Sequence, residues 1–259
     1  RNVHVEAEVS DAQRRATMLN HSATHLMHAA LRQVLGEHVS QKGSLVNSNY
    51  LRFDFSHNKT VSDAEIEQIE NLVNAQILAN VDVQKRVMPI DDARKLGAMA
   101  LFGEKYGSEV RVVSMGSVGE GKTFSLELCG GTHVKRTGDI GFFRIVQESG
   151  IAAGVRRIEA VTGLNALARA RSNEQKLQQI AALVKGSESN VLEKVQQALA
   201  DAKALEKEMQ QLKARLATAA GAQLLEQAAL INGVKVLITE VEGMDSKALR
   251  DTAEQLKNK

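Results

Sequence analysis

Two short stretches far apart in the chain carry residue types that bind borderline metal ions. They are Asn20-His21-Ser22-Ala23-Thr24-His25 and Cys129-Gly130-Gly131-Thr132-His133. Each holds two candidate ligands with three residues between them. On a helix, His21 and His25 share one face, a turn apart. Gly130-Gly131 disfavours a helix at the second pair, but a flexible loop there can fold Cys129 and His133 back toward one point. One Cys and three His suit tetrahedral zinc, and such an ion would join an early helix to a distant loop. A structural reading stands beside this one. Among seven histidines an i, i+4 pair arises easily by chance, and a lone Cys is more often an inert core residue. The coincidence of the two pairs is harder to obtain by accident, and from spacing alone the metal site and the structural reading stand level.

Composition narrows the classes. The 259 residues suffice for one large domain or two small ones, and an apolar content of 43% marks a globular chain. A single Cys excludes an internal disulfide framework and points to a reducing, cytoplasmic setting. No apolar run reaches membrane-spanning length and no signal peptide heads the sequence. The first residue is Arg, which suggests a fragment. A net charge of only +2 offers no bulk attraction to nucleic acid, so any such binding must rest on local patches.

The elements that must position the ligands follow from pattern. Residues 1–9 alternate like the last strand of a preceding β domain. Ser10 and Gln13 open a helix from Asp11 to Leu35 that carries His21 and His25, with Gly36 to stop it. His28, a turn beyond His25, suits the surface or a place behind the ligands. Val39–Val46 and Tyr50–Phe55 read as a hairpin about Asn47-Ser48-Asn49. Ser62 and Glu65 cap a second helix with the stripe Ile66, Ile69, Val73 and Ile77. Strands are expected at Val83–Met88, Val110–Met115, Thr123–Leu128, Ile140–Gln147 and Val155–Val161, with a short helix over Asp91–Leu96. The strand ending at Leu128 delivers Cys129 to a sheet edge. Residues 10–163 thus form an α+β domain with packed helices on a mixed or antiparallel sheet. Residues 164–230 turn to Ala, Leu, Gln, Glu and Lys and read as a helical hairpin or coiled coil, a surface for self-association. In 231–259, Asn232-Gly233 leads to a strand at Val234–Val241 and a final helix from Asp245 or Ser246, the start of a truncated α/β domain.

Five motifs in order resemble the editing domain of alanyl-tRNA synthetases. They are Asn20–Leu26, Gln41-Lys42-Gly43-Ser44-Leu45-Val46, Leu51-Arg52-Phe53-Asp54-Phe55, Leu128–His133 and Gly154-Val155-Arg156-Arg157-Ile158-Glu159. Gly97 through Tyr106 is similar too, and the resemblance runs the length of the chain. The His-x3-His and Cys-x3-His skeleton is shared with threonyl-tRNA synthetase editing domains and with free-standing editing proteins, but Gly130-Gly131-Thr132 resembles the alanyl form.

The resemblance implies hydrolysis of the ester joining serine or glycine to the 3′ acceptor end of alanine tRNA. A pocket built for alanine rejects one lost methyl or one added hydroxyl poorly, so a second, hydrolytic site is needed. It also implies zinc on His21, His25, Cys129 and His133, either polarising water or ester or shaping the pocket for the terminal adenosine. Cys129 is the candidate for a loose or directly catalytic position, since four protein ligands normally close a zinc site. Gln41 matches the position that contacts the amino acid or orients water. Ser44 is placed to meet the serine hydroxyl. Thr24 would support the ligands or substrate. Arg156 and Arg157 would meet phosphate, one alternatively pairing with Glu159. The competing class is a non-catalytic zinc domain that mediates assembly. A metallopeptidase is disfavoured, because His-Ser-Ala-Thr-His lacks the glutamate of the His-Glu-x-x-His base.

Overall fold

The computed structural model describes residues 5–100, 106–119, 121–225, 228–240, 249–250, 253–254 and 257. The start expected for the final helix, Asp245 or Ser246, and residues 101–105 of the 97–106 motif lie outside them, while the described residues 249–250, 253–254 and 257 are helical. The chain divides into two compact units, Arg1–Asn173 and Glu174–Lys259.

The first unit is α+β and its sheets are antiparallel. Helix α1 (Asp11–Leu35) begins where the Ser10 hydroxyl accepts from the Gln13 amide, and it ends at Gly36, whose φ of +117° few other residues tolerate. Arg32 fastens that end by donating to the Glu37 and Val39 carbonyls at 2.6 and 2.8 Å. The middle of α1 is buried, so His21 and His25 stand on an anchored rod rather than on a loop. Asn20 fixes it sideways: its amide donates to the Asn47 carbonyl at 2.8 Å, and its own carbonyl accepts from Thr162 at 2.7 Å. Helix α2 (Asp63–Leu78) carries the expected Ser62/Glu65 capping box and buries Ile69, Val73 and Ile77.

These helices pack on a four-stranded sheet, order β1-β2-β7-β6, made of β1 (Gln41–Val46), β2 (Leu51–Ser56), β7 (Val155–Thr162) and β6 (Phe143–Ala152). Leu51, Phe53, Phe55, Ile158 and Ala160 fill its inner face. Glu70, 5% exposed on α2, accepts from the Ile145 amide at 2.6 Å and from Arg144 at 2.8 Å, locking helix to edge strand. Burial raises the pKa of that carboxyl.

The single sheet expected over 10–163 is corrected to two. Strands β3 (Gln84–Pro89), β4 (Glu109–Met115) and β5 (Ser125–Leu128) form a separate sheet, order β3-β4-β5, with α3 (Ile90–Lys95) leading from β3 toward β4. Alternation shows which face of a strand is covered, not which strand lies beside it. Ile140 closes a 3₁₀ turn, Thr137–Ile140, instead of opening β6, and β6 runs on to Ala152. Residues 5–9 form no strand, and Val5 and Val9 stand 79% and 62% exposed.

Helix α4 (Gly163–Leu183) leads into the second unit, which holds α5 (Val191–Leu225) and a small hairpin. Along α5 the apolar stripe Leu205, Met209, Leu212 and Leu216 is exposed. Asn232 and Gly233 both take positive φ, +50° and +84°, as a two-residue hairpin turn requires. The strand expected after them is therefore the second of a pair, β8 (Ala229–Ile231) and β9 (Val234–Val236). No helix among the described residues is long and apolar enough to cross a membrane.

Candidate metal centre

The loop after β5 brings Cys129 and His133 against the exposed end of the α1 histidine face. One ligand atom from each of His21, His25, Cys129 and His133 lies within 4.8 Å of all the others. Cys129 Sγ is 3.2 Å from His133 Nε2 and 3.5 Å from His21 Nε2. A tetrahedral ion about 2.3 Å from sulfur and about 2.1 Å from nitrogen sets S···N near 3.6 Å, so the spacing fits.

The other ring nitrogens decide which atoms are offered. His21 Nδ1–H donates to the Thr132 carbonyl at 3.2 Å, and His25 Nδ1–H donates to Glu127 at 2.7 Å. His133 Nδ1 sits 3.3 Å from the Ser22 hydroxyl. With every Nδ1 occupied, all three Nε2 atoms are free for an ion, the arrangement that oriented metal-binding histidines adopt. His25 Nε2 is buried with no hydrogen-bond partner. A buried polar atom without a partner costs roughly 1–3 kcal/mol, and an ion held there in place of the proton would relieve it. The residues present therefore fit a divalent metal of the zinc type.

Electrostatics point the same way. Burial opposes the Cys129 thiolate, but hydrogen bonds from His133 and His21, with the charge of the nearby His25, outweigh it and bring its pKa down to about 3. Burial likewise opposes charge on His25, yet Glu127 and Cys129 push its pKa up to about 10. Burial takes His133 down to about 4. Glu127, although buried, is held well below the usual carboxylate range by His25 and His28. The metal-free site thus already holds a thiolate beside an imidazolium, the charge pattern that a cation replaces.

The loop itself is held by cations. Arg111 Nε donates to the Cys129 carbonyl at 2.8 Å and its Nη2 donates to the Gly131 carbonyl. Lys85 Nζ donates to the His133 carbonyl at 3.2 Å, and the Ser22 hydroxyl accepts the Val134 amide at 3.1 Å. Gly131 is required by space: a β-carbon there would overlap the His21 ring, whereas Gly130 meets nothing within 4 Å. Sequence reasoning missed Glu127, Ser22, Arg111 and Lys85. For Glu127 strand alternation gives only its side, the same as that of Cys129 two residues on, and not its burial.

The remaining candidates fall in different places. Gln41 and Ser44 lie on edge strand β1, half-buried and exposed respectively. A bulge makes Gln41 oppose Phe55 and Ser44 oppose Phe53, so both face the helix side of the sheet although they are three residues apart. Thr24 is buried, and its hydroxyl donates to the Asn20 carbonyl at 2.8 Å. Arg156 and Arg157, as neighbours on a strand, point to opposite faces and share no ligand. The proposed Glu159 partner is corrected: Arg156 grips Glu148 at 2.5 Å through two nitrogens, and Arg157 grips Asp54 at 2.7 and 2.8 Å. Register explains the second pair, since Asp54 lies directly opposite Arg157 while Glu159 faces Arg52. His28 sits behind His25 as expected, but it is buried, with Nδ1 3.0 Å from Glu127.

Residues 110–159, which include β4, β5 and the Cys129–His133 loop, match the second additional domain of threonyl and alanyl tRNA synthetases. Across 258 residues the chain is 55% identical to an alanine–tRNA ligase of Pseudoalteromonas translucida, covering 100% of this chain and 29% of that protein. Across 255 residues it is 56% identical to that of Thiobacillus denitrificans, covering 98% of this chain and 28% of the relative. The chain belongs to the alanyl-tRNA synthetase family and spans under a third of the length of these relatives.

Proposed function

We propose that the chain is a proofreading deacylase: it hydrolyses the ester between serine or glycine and the 3′ end of alanine tRNA at a zinc centre formed by His21, His25, Cys129 and His133. The observation that carries this is the convergence of three Nε2 atoms and one thiolate at the junction of α1 and the matched domain. Bound there, zinc supplies a fixed positive charge that organises the pocket around the ester. His25 and His133 are buried, while His21 and Cys129 are half-exposed, so the charged tRNA end approaches from the His21–Cys129 side. In the hydrolysis a water oxygen bonds to the ester carbonyl carbon, and the 3′ oxygen leaves and takes up a proton. Gln41 orients the water or the amino acid, and Ser44 meets the serine hydroxyl. Cys129 serves as a ligand and as the polar wall nearest the reacting bond. Thr24 stiffens α1, and Arg156 and Arg157 act as framework ion pairs, since each is held by a carboxylate. The setting is cytoplasmic, and the exposed α5 stripe supports self-association.

A second reading, a structural zinc module without turnover, is favoured by the closed set of four protein ligands. Gln41→Ala separates the two. The deacylase reading expects unchanged zinc content and release of serine from charged tRNA slowed by at least tenfold. Equal turnover by parent and variant removes Gln41 from the mechanism, and absence of turnover in the zinc-loaded parent leaves the structural reading.

A further inference from the structure

Both oxygens of one buried carboxylate are spent on two histidines. Glu127, 2% exposed, accepts from His25 Nδ1 at 2.7 Å through Oε2 and from His28 Nδ1 at 3.0 Å through Oε1. Ser125 Oγ lies 3.5 Å from Oε1. His28 is 3% exposed, packs against the Phe53 ring with centroids 5.0 Å apart, and offers nothing to the ligand cluster. A carboxylate withdrawn from water in this way is costly unless its partners are fixed and its charge is matched. No lysine or arginine pairs with it among the described residues; two imidazoles do. In a loaded site, where His25 would be neutral, the matching cation would be the ion on the far side of His25.

We infer that Glu127, braced by His28, is a positioning residue of the metal centre: it fixes the Nδ1–H tautomer of His25, presents Nε2 to the ion, and supplies the second negative charge that makes the loaded site neutral. The charges sum as two from the ion, minus one from the Cys129 thiolate and minus one from Glu127. The inference rests on the metal reading above, and its test reads the metal rather than turnover.

Glu127→Gln keeps the side-chain volume, but an amide can accept from only one of the two Nδ1–H groups and turns its NH2 toward the other. Zinc affinity, measured by competition with a chromophoric chelator, is expected to fall about 10- to 100-fold. The rise in Tm on adding zinc shrinks, whatever the change in the Tm of the chelator-treated protein. A purely structural Glu127 would lower the metal-free Tm and leave the zinc-dependent rise intact, which overturns the inference. His28→Leu leaves Glu127 in place without its brace and is expected to weaken zinc by less than Glu127→Gln does. If Glu127→Gln does not fold, this variant decides: parent-like affinity in His28→Leu overturns the inference. A parent protein that takes up no zinc at all refutes the metal reading instead.

Discussion

Gly130 and Gly131 are neighbours of identical chemistry with different surroundings, and alanine at each tests how closely the metal centre is packed. Neither needs a positive φ, so conformational strain does not separate them. At Gly131 the new β-carbon would overlap His21 Cε1 and lie 2.7 Å from Nδ1 and 3.4 Å from Nε2. The His21 ring must turn aside, giving up its bond to the Thr132 carbonyl and moving Nε2 away from Cys129. Losing an orienting partner alone lowers metal affinity about 10- to 100-fold. The expected loss for Gly131→Ala is therefore at least about tenfold, or about 1.4 kcal/mol. At Gly130 the methyl meets open space, and the change should stay within about 0.5 kcal/mol. Chelator competition on both variants, with circular dichroism to confirm the fold, reads the difference. Equal affinities would refute the packing argument, and so would a larger loss at Gly130.

The charge pattern of the metal-free site gives two further expectations. Thiolate absorbance near 240 nm should persist on acidification until the pH nears Cys129's depressed value of about 3; a signal appearing only above pH 8 would contradict the hydrogen-bonding scheme. Stability of the chelator-treated protein should plateau between about pH 6.5 and 9. Cys129, depressed from 9.0, contributes stability that is complete above 9.0 and lost as pH falls toward 3. His25, raised from 6.5, contributes stability that is complete below 6.5 and lost as pH rises through 10. The two slopes offset each other between 6.5 and 9.0, and each acts unopposed outside that window. Urea midpoints that climb steadily through pH 10 would contradict this.

The convergence of His21, His25, Cys129 and His133 was legible in the sequence because local geometry decides it. An i, i+4 pair on a capped helix must share a face, and two glycines beside Cys129 leave room for a close approach. The helix stripes and the Ser62/Glu65 cap were legible for the same reason. What depends on pairing between distant segments was not. Which of Asp54, Glu148 and Glu159 meets an arginine follows from strand register, and the bulge at Gln41–Gly43 that turns Gln41 and Ser44 to one face has no sequence mark. Glu127 reads as a solvated strand charge until α1 is laid over β5, where it becomes the buried partner of two histidines. The division into two sheets and the strand before Asn232 belong to the same class of missing information.

The most direct test of the account is deacylation of serine-charged and alanine-charged alanine tRNA, side by side, by protein of known zinc content, with Cys129→Ala as control. The account predicts that serine is released while alanine is retained, and that the substitution abolishes the release along with the zinc. Release of both amino acids at equal rates would contradict it, as would selective release that survives in the zinc-free variant.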